Sequence, residues 1–398
     1  MRRFLLPVLV LGVSVAAPWA QAATPPQQPE QGPGGRDYKV TDVVKRGVGT
    51  ASAGTFVFHG SDAPARARPV VIFLHSWGAV NPALYGGWID HLARKGHLVL
   101  FPRFQDVNRS RPADATNLAE TLIEAALAEL ANDPNARPDR ERVALIGHSA
   151  GVPLALNLAA GAGSGKVPSP KLIFGLMAGG IASNEKERGI LLRDLSTIDP
   201  QTLIITMSGD RDYLPADRAS RLILQQASAV PAARKLFMRA ASDDHGFPTI
   251  TATLASPGSL RADYDAAAIK LPPDPPRDPK QRNTWRWSAD MALSGPQTIL
   301  TQQLGNNVTD TLDYLAFWKT FDMALEAAFA GKDASALARD PKFVDMGTWS
   351  DGWPVRRLSA QTPKVEGQKE EPGPRRRLNM APPETKQGLS DFIGKLRS

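Results

Sequence analysis

The segment ALIGHSAG (144–151) sets one serine between two glycines, as Gly147-His148-Ser149-Ala150-Gly151. The apolar run before it and the pattern VPLALNLAA after it predict a strand, a sharp turn and a helix. On such a turn a serine hydroxyl can stand clear of the sheet. Glycines two residues before and after then avoid collision with the neighbouring strand and helix. Pro153 falls in the first helical turn, where its missing N–H costs little. The helix N-terminus aims free amides and partial positive charge at the turn, which suits an oxyanion. The predicted chemistry is nucleophilic attack by Ser149. The structural alternative is a small-residue turn that only packs helix on strand.

A serine hydroxyl is a poor nucleophile without a base, so a histidine is required. The chain has six: His59, His75, His91, His97, His148 and His245. His148 adjoins the serine and is expected to point away from its hydroxyl. His59 precedes the core strands, His91 and His97 fall on a helix surface and its exit, and His75 ends an early strand. Only His245, in ASDDHGFP, follows every predicted strand, at the sheet edge Ser149 shares. The base needs a carboxylate to hold its tautomer. LIITMSGDRDYLP ends a strand with Asp210 and Asp212; Asp212 is favoured, with Asp210 and then Asp243, Asp244 or Glu185 as alternatives. An oxyanion hole needs two backbone donors. The amide of Ala150 is one. The loop VVIFLHSWGAV supplies the other, expected at Trp77, with His75 and Gly78 shaping the turn and His75 a candidate substrate neighbour.

Together FLHSWG, GHSAG, GDRDYLP and DDHG resemble the α/β-hydrolases, nearest to the dienelactone hydrolase, chlorophyllase and platelet-activating-factor acetylhydrolase-like esterases. The resemblance covers about residues 65–250 plus a final helix. It implies an α/β-hydrolase fold, a triad in the chain order Ser149, Asp212, His245, and cleavage of carboxylic esters through an acyl-enzyme. Similar enzymes carry His-Gly where this chain has His75-Ser76, and dienelactone hydrolases commonly use a cysteine nucleophile. This chain has no cysteine, so that nucleophile is excluded. Peptide or amide hydrolysis, and a binding protein that keeps the fold without catalysis, are the alternatives.

The elements that position these residues alternate. Strands are predicted at Val70–His75, Leu98–Pro102, Val143–Gly147, Leu172–Met177, Leu203–Ser208 and Lys235–Arg239, several of them continuous apolar runs as in parallel strands covered on both faces. Helices are predicted at Pro82–Lys95, Ala113–Leu130 and Gly151–Ala160. This order implies a mostly parallel, doubly wound α/β sheet with right-handed crossovers. Residues 40–59 are expected to add an antiparallel edge. Phe317, Phe321, Leu325 and Ala328 recur at helical spacing within 309–330 and predict core packing. MGTWSDGWPV (346–355) reads as an aromatic turn sealing the domain.

The ends carry other signals. Met1-Arg2-Arg3, the apolar Phe4–Ala17 and Ala20-Gln21-Ala22 fit a secretory signal over 1–22, hence a periplasmic or secreted protein with no stable membrane span once mature. An uncleaved anchor is the alternative. Residues 23–37 read as a flexible linker, 38–358 as the hydrolase domain and 359–398 as a disordered charged tail. Within the domain, about 248–306 is an insertion after His245. It could lie over the site, with Trp285 and Trp287 lining a pocket, or form a Pro-rich surface excursion. The formal charge of +7 includes Arg2, Arg3 and a tail holding eight Lys/Arg against five Asp/Glu, which leaves about +2 for the body. That excludes a nucleic-acid stripe. No metal-ligand spacing is present and no cofactor is expected. Asn307-Val308-Thr309 matches a glycosylation sequon, discounted in a bacterial-looking chain. The expected partner is a small-molecule or lipid-like ester; the oligomeric state is left open.

Overall fold

The computed structural model describes residues 22–106, 109–212, 216–276, 286–293 and 297–363. All of the expected signal but Ala22, and nearly all of the expected charged tail, lie outside them. Strands β1 (Val43–Gly49), β2 (Gly54–Gly60) and β3 (Arg68–Leu74) lead to helix α1 (Gly86–Arg94) and β4 (Leu98–Pro102). Helix α2 (Ala115–Glu129), β5 (Pro138–His148), α3 (Gly151–Ala160) and β6 (Leu172–Leu176) follow. Two short strands, β7 (Ile181–Ala182) and β8 (Ile190–Leu191), pair with each other. Then come β9 (Leu203–Gly209), α4 (Ala216–Gln226), β10 (Lys235–Ala240), α5 (Gln297–Asn306), a π-helical turn at Leu312–Trp318, and α6 (Lys319–Phe329). A last strand, β11, covers Ser359–Gln361.

Among the described residues nine strands form one sheet in the order β1-β2-β4-β3-β5-β6-β9-β10-β11. The pairs from β4 to β10 are parallel; β1–β2, β2–β4 and β10–β11 are antiparallel. This is the α/β-hydrolase arrangement that the motifs implied, with the antiparallel edge expected from residues 40–59. Each predicted core strand agrees with an observed one to within two residues, except that β5 begins five residues before the predicted Val143.

The alternation of side chains along each strand explains why both faces are apolar. Val71 and Phe73 of β3 enter one core with Trp88, Phe174, Phe317 and Phe321, whereas Val70, Ile72 and Leu74 enter the other with Ile123, Leu154 and Ile223. Each such side chain, fully buried, contributes roughly 1.5–3 kcal/mol. The parallel strands therefore all point their C-terminal ends to one rim, where loops can meet. Phe317, Phe321, Leu325 and Ala328 are all buried, as their spacing predicted.

Residues 23–37 depart from the expected flexible linker. Pro26 O accepts from Tyr314 Oη (2.6 Å) and Thr311 Oγ1 (3.0 Å), and Gly34 N donates to Asp322 (2.8 Å). Composition alone missed this because the segment has no periodicity of its own. Its polar backbone is satisfied by side chains about 290 residues away. The start of the expected tail also departs from disorder, since Ser359–Gln361 adds a strand to β10.

Candidate active site

Ser149 occupies the turn between β5 and α3 with φ +51°, one of two non-glycine residues with positive φ among those described. A left-handed conformation costs a non-glycine residue about 1–2 kcal/mol. The turn is clamped by Ser149 N donating to Leu176 O (2.9 Å) and Val152 N to Ser149 O (3.0 Å). Both motif glycines are sterically required. A Cβ on Gly147 would lie 2.5 Å from Gly151 O, and one on Gly151 would lie 2.0 Å from Leu74 O. Gly151 thus lets the start of α3 touch the end of β3, bringing the 75–79 loop beside the serine turn.

Two backbone amides flank that contact in the chain. Among the described residues neither the Trp77 nor the Ala150 amide has a hydrogen-bond acceptor. Gly78 N is committed to Gln105 Oε1 (2.6 Å), and Gly78 holds φ +90°. The loop is fixed by a buried chain of polar groups. Ser76 N donates to Tyr85 Oη (3.2 Å), the Tyr85 hydroxyl donates to His148 Nδ1 (2.8 Å), and His148 Nε2 donates to Leu254 O (2.7 Å). His148 therefore points away from Ser149, as expected, and ties the 75–79 loop to the strand under the serine. Burial pushes both His148 and His75 down to about 4, so both rings are neutral near pH 7. His75 donates from Nδ1 to Ser76 O (2.8 Å) and stacks on Phe104 (4.0 Å between centroids). The ring is completely buried in the loop.

The strand ends place the two remaining candidates. Gly209 of β9 and Ala240 of β10 are paired neighbours in register, so the loops bearing Asp212 and His245 leave the sheet side by side. Asp210 accepts from Ser242 N (2.9 Å) and Oγ (2.6 Å), which commits it to joining the loop roots. Among the described residues, both carboxylate oxygens of Asp212 are buried without a hydrogen-bond partner, and burial pushes its pKa up to about 6. The structure does not bring His245 to it. His245 Nε2 bonds Asp351 Oδ2 (2.7 Å), and its ring stacks on Trp353 (5.5 Å, 14° between planes). Asp243 is occupied by Trp349 Nε1 and Arg356 N, and Asp244 faces Arg356 at 3.9 Å.

The insertion contributes walls beside the serine. Positions where Gly180 and Gly78 would carry a Cβ lie 3.0 Å from Leu293 Cδ1 and 2.9 Å from Thr301 Oγ1. The Gly180 position is also 3.2 Å from Ala150 Cβ, while that of Gly179 is 3.4 Å from Ser149 Oγ. Two side-chain-free residues thus form a floor next to the hydroxyl, with Leu293 at its edge. Arg111 pairs with Asp290 (2.6 Å) to hold this part of the insertion to the body. Trp287 is 57% exposed, and Trp285 lies outside the described residues. Sequence reasoning passed over Tyr85, Leu293, Asp351 and Trp353. Only the last two carried a signal, as part of the aromatic turn, and nothing local tied that turn to His245. Among the described residues no group of His, Asp or Glu could hold a metal ion, and no helix is long and apolar enough to cross a membrane.

Residues 55–186 match the model of the family described as Chlorophyllase, a stretch that contains the Trp77 loop and the Ser149 turn. Among solved structures the chain is similar to carboxyl esterase 2 from the mycorrhizal fungus Tuber melanosporum. That match has 14% identity and a TM-score of 0.38 over 51% of this chain and 79% of that one. It is also similar to a fungal esterase from Rhizomucor miehei, at 16% identity and a TM-score of 0.39 over 57% and 81%. No curated protein matches the chain.

Proposed function

We propose that this chain, an α/β-hydrolase by fold, is an exported serine hydrolase that cleaves carboxylic esters. The observation that carries the reading is Ser149 held at φ +51° on a strand-to-helix turn beside two uncommitted amides, those of Ala150 and Trp77. Backbone strain of this kind persists where the surrounding structure enforces it, and it marks functional turns. Ser149 Oγ attacks the ester carbonyl carbon while its proton passes to His245. The carbonyl oxygen becomes an oxyanion between the two amides. Collapse of the tetrahedral species breaks the bond to the alkoxy group, which takes the proton from His245 and leaves as the alcohol. Water, deprotonated by His245, then releases the acid and restores Ser149. Asp212 orients the imidazole and stabilises its charged form. The chlorophyllase-family match over 55–186 supports an ester as substrate. The N-terminal pattern of 1–22 supports export.

One observation favours a second reading, a binding protein that keeps the fold: His245 and Asp212 stand apart. A fluorophosphonate probe separates the two. The hydrolase reading expects covalent labelling at Ser149 and turnover of p-nitrophenyl esters, both lost in Ser149→Ala. A folded wild-type protein that takes no label refutes it.

A further inference from the structure

We infer that His245 has two carboxylate stations, and that Asp351 with the Trp353 indole holds its imidazole at the outer one while the inner one, Asp212, stands ready for it. The inference rests on the hydrolase reading above and adds a positioning residue to it. Three facts support two stations. Among the described residues, the two oxygens of the Asp212 carboxylate are both buried and unpartnered, so it lacks the donor that such a site ordinarily holds. His245, placed by topology on the adjacent loop, is engaged outside, with Asp351 at 2.7 Å and Trp353 stacked on its face. The two loops also share a root. Gly209 pairs with Ala240, and Ser242 bonds Asp210, so Asp212 and His245 begin from strands about 5 Å apart.

The part of the loop that can carry the imidazole inward is bounded. Asp243 and Ile250 exchange backbone hydrogen bonds (2.8 and 2.9 Å) and close a turn over residues 244–249. His245 lies within that turn, beyond the fixed root. The outer station is built from three distant pieces of chain. Phe247 N donates to Ala23 O (2.8 Å), Thr24 N donates to Ser350 Oγ (2.9 Å), and Ser350 N donates to Thr24 O (3.0 Å). The N-terminal segment thus braces both the turn bearing His245 and the loop bearing Asp351. His245 pulls the Asp351 carboxyl below its ordinary range through the hydrogen bond between them. Asp351 and Trp353 are both exposed, so neither is needed to fill the core.

Asp351→Ala and Asp351→Asn test this. Removing the outer station raises the fraction of enzyme with His245 at Asp212. The rate of Ser149 labelling by a fluorophosphonate and kcat/KM for p-nitrophenyl acetate then both rise by more than about twofold. Adding Asp212→Asn abolishes the gain, a dependence that a merely structural role for Asp351 does not produce. Unchanged rates with normal Ser149 labelling overturn the holding role. A fall of tenfold or more makes Asp351 the orienting acid and also overturns it. A crystal structure of the phosphonylated enzyme with His245 still on Asp351 does the same. Absence of labelling in wild type and both variants refutes the hydrolase reading itself and this inference with it.

Discussion

Replacing Asp212 by Asn is expected to stabilise the protein while destroying its activity. The Asp212 carboxyl is raised from an ordinary 3.8 to about 6 because it is buried, and both of its oxygens lack a partner among the described residues. At about 1.4 kcal/mol per pKa unit this corresponds to a native-state penalty of about 3 kcal/mol for the ionised form. The residue is only partly buried, so screening by water brings the expected gain from Asp212→Asn to about 1–2 kcal/mol. Its pH dependence has a fixed sign. The folded pKa lies above the unfolded one, so between them the native state holds a proton that the unfolded chain has released. Stability therefore falls as pH rises through that window. The wild type and Asp212→Asn should have equal stability near pH 4, and the variant should gain its full advantage by about pH 6.5. Urea unfolding curves at pH 4, 5, 6 and 7.5, monitored by tryptophan fluorescence, measure the difference directly. At pH 7.5 the variant should also have lost activity by a factor of about 10⁴. Equal stability at every pH, or a less stable variant at pH 7.5, shows that Asp212 is already paired in the free enzyme. The two-station reading of His245 would then lose its inner carboxylate.

Two further perturbations probe the serine turn. Gly151→Ala forces a methyl to within 2.0 Å of Leu74 O and 3.0 Å of His75 O, so α3 must move away from β3. It should cost about 1–3 kcal/mol in thermal unfolding and reduce kcat by about 10²–10³ as the donor pair separates. Gly163→Ala, with nothing within 4 Å, serves as the neutral control. Ser149→Gly relieves the positive φ and should raise stability by about 1–2 kcal/mol in the same unfolding assay while abolishing fluorophosphonate labelling.

The architecture and the serine turn were legible in the chain because both are local. Continuous apolar runs such as LVLFP and LIITMSG state that a strand is covered on both faces, and the Gly147–Gly151 spacing states a turn too tight for side chains. The fate of His148 followed from its adjacency to Ser149 in the same way. The strap at 23–37 and the Asp351 partner of His245 were not legible, for a common reason. Gly34 and Pro26 acquire partners near residues 311–322, and His245 acquires Asp351 across 106 residues. No periodicity records such a partner, since a polar side chain takes whichever donor or acceptor packing delivers. The same holds for Leu293, whose place beside Gly180 depends on how an irregular insertion folds back. Residue types and spacing in this chain decide which strands form, in what order, and where a nucleophile can stand. Which carboxylate meets the histidine, and what walls the space above Ser149, is decided by long-range packing of loops whose own sequences prefer no single conformation.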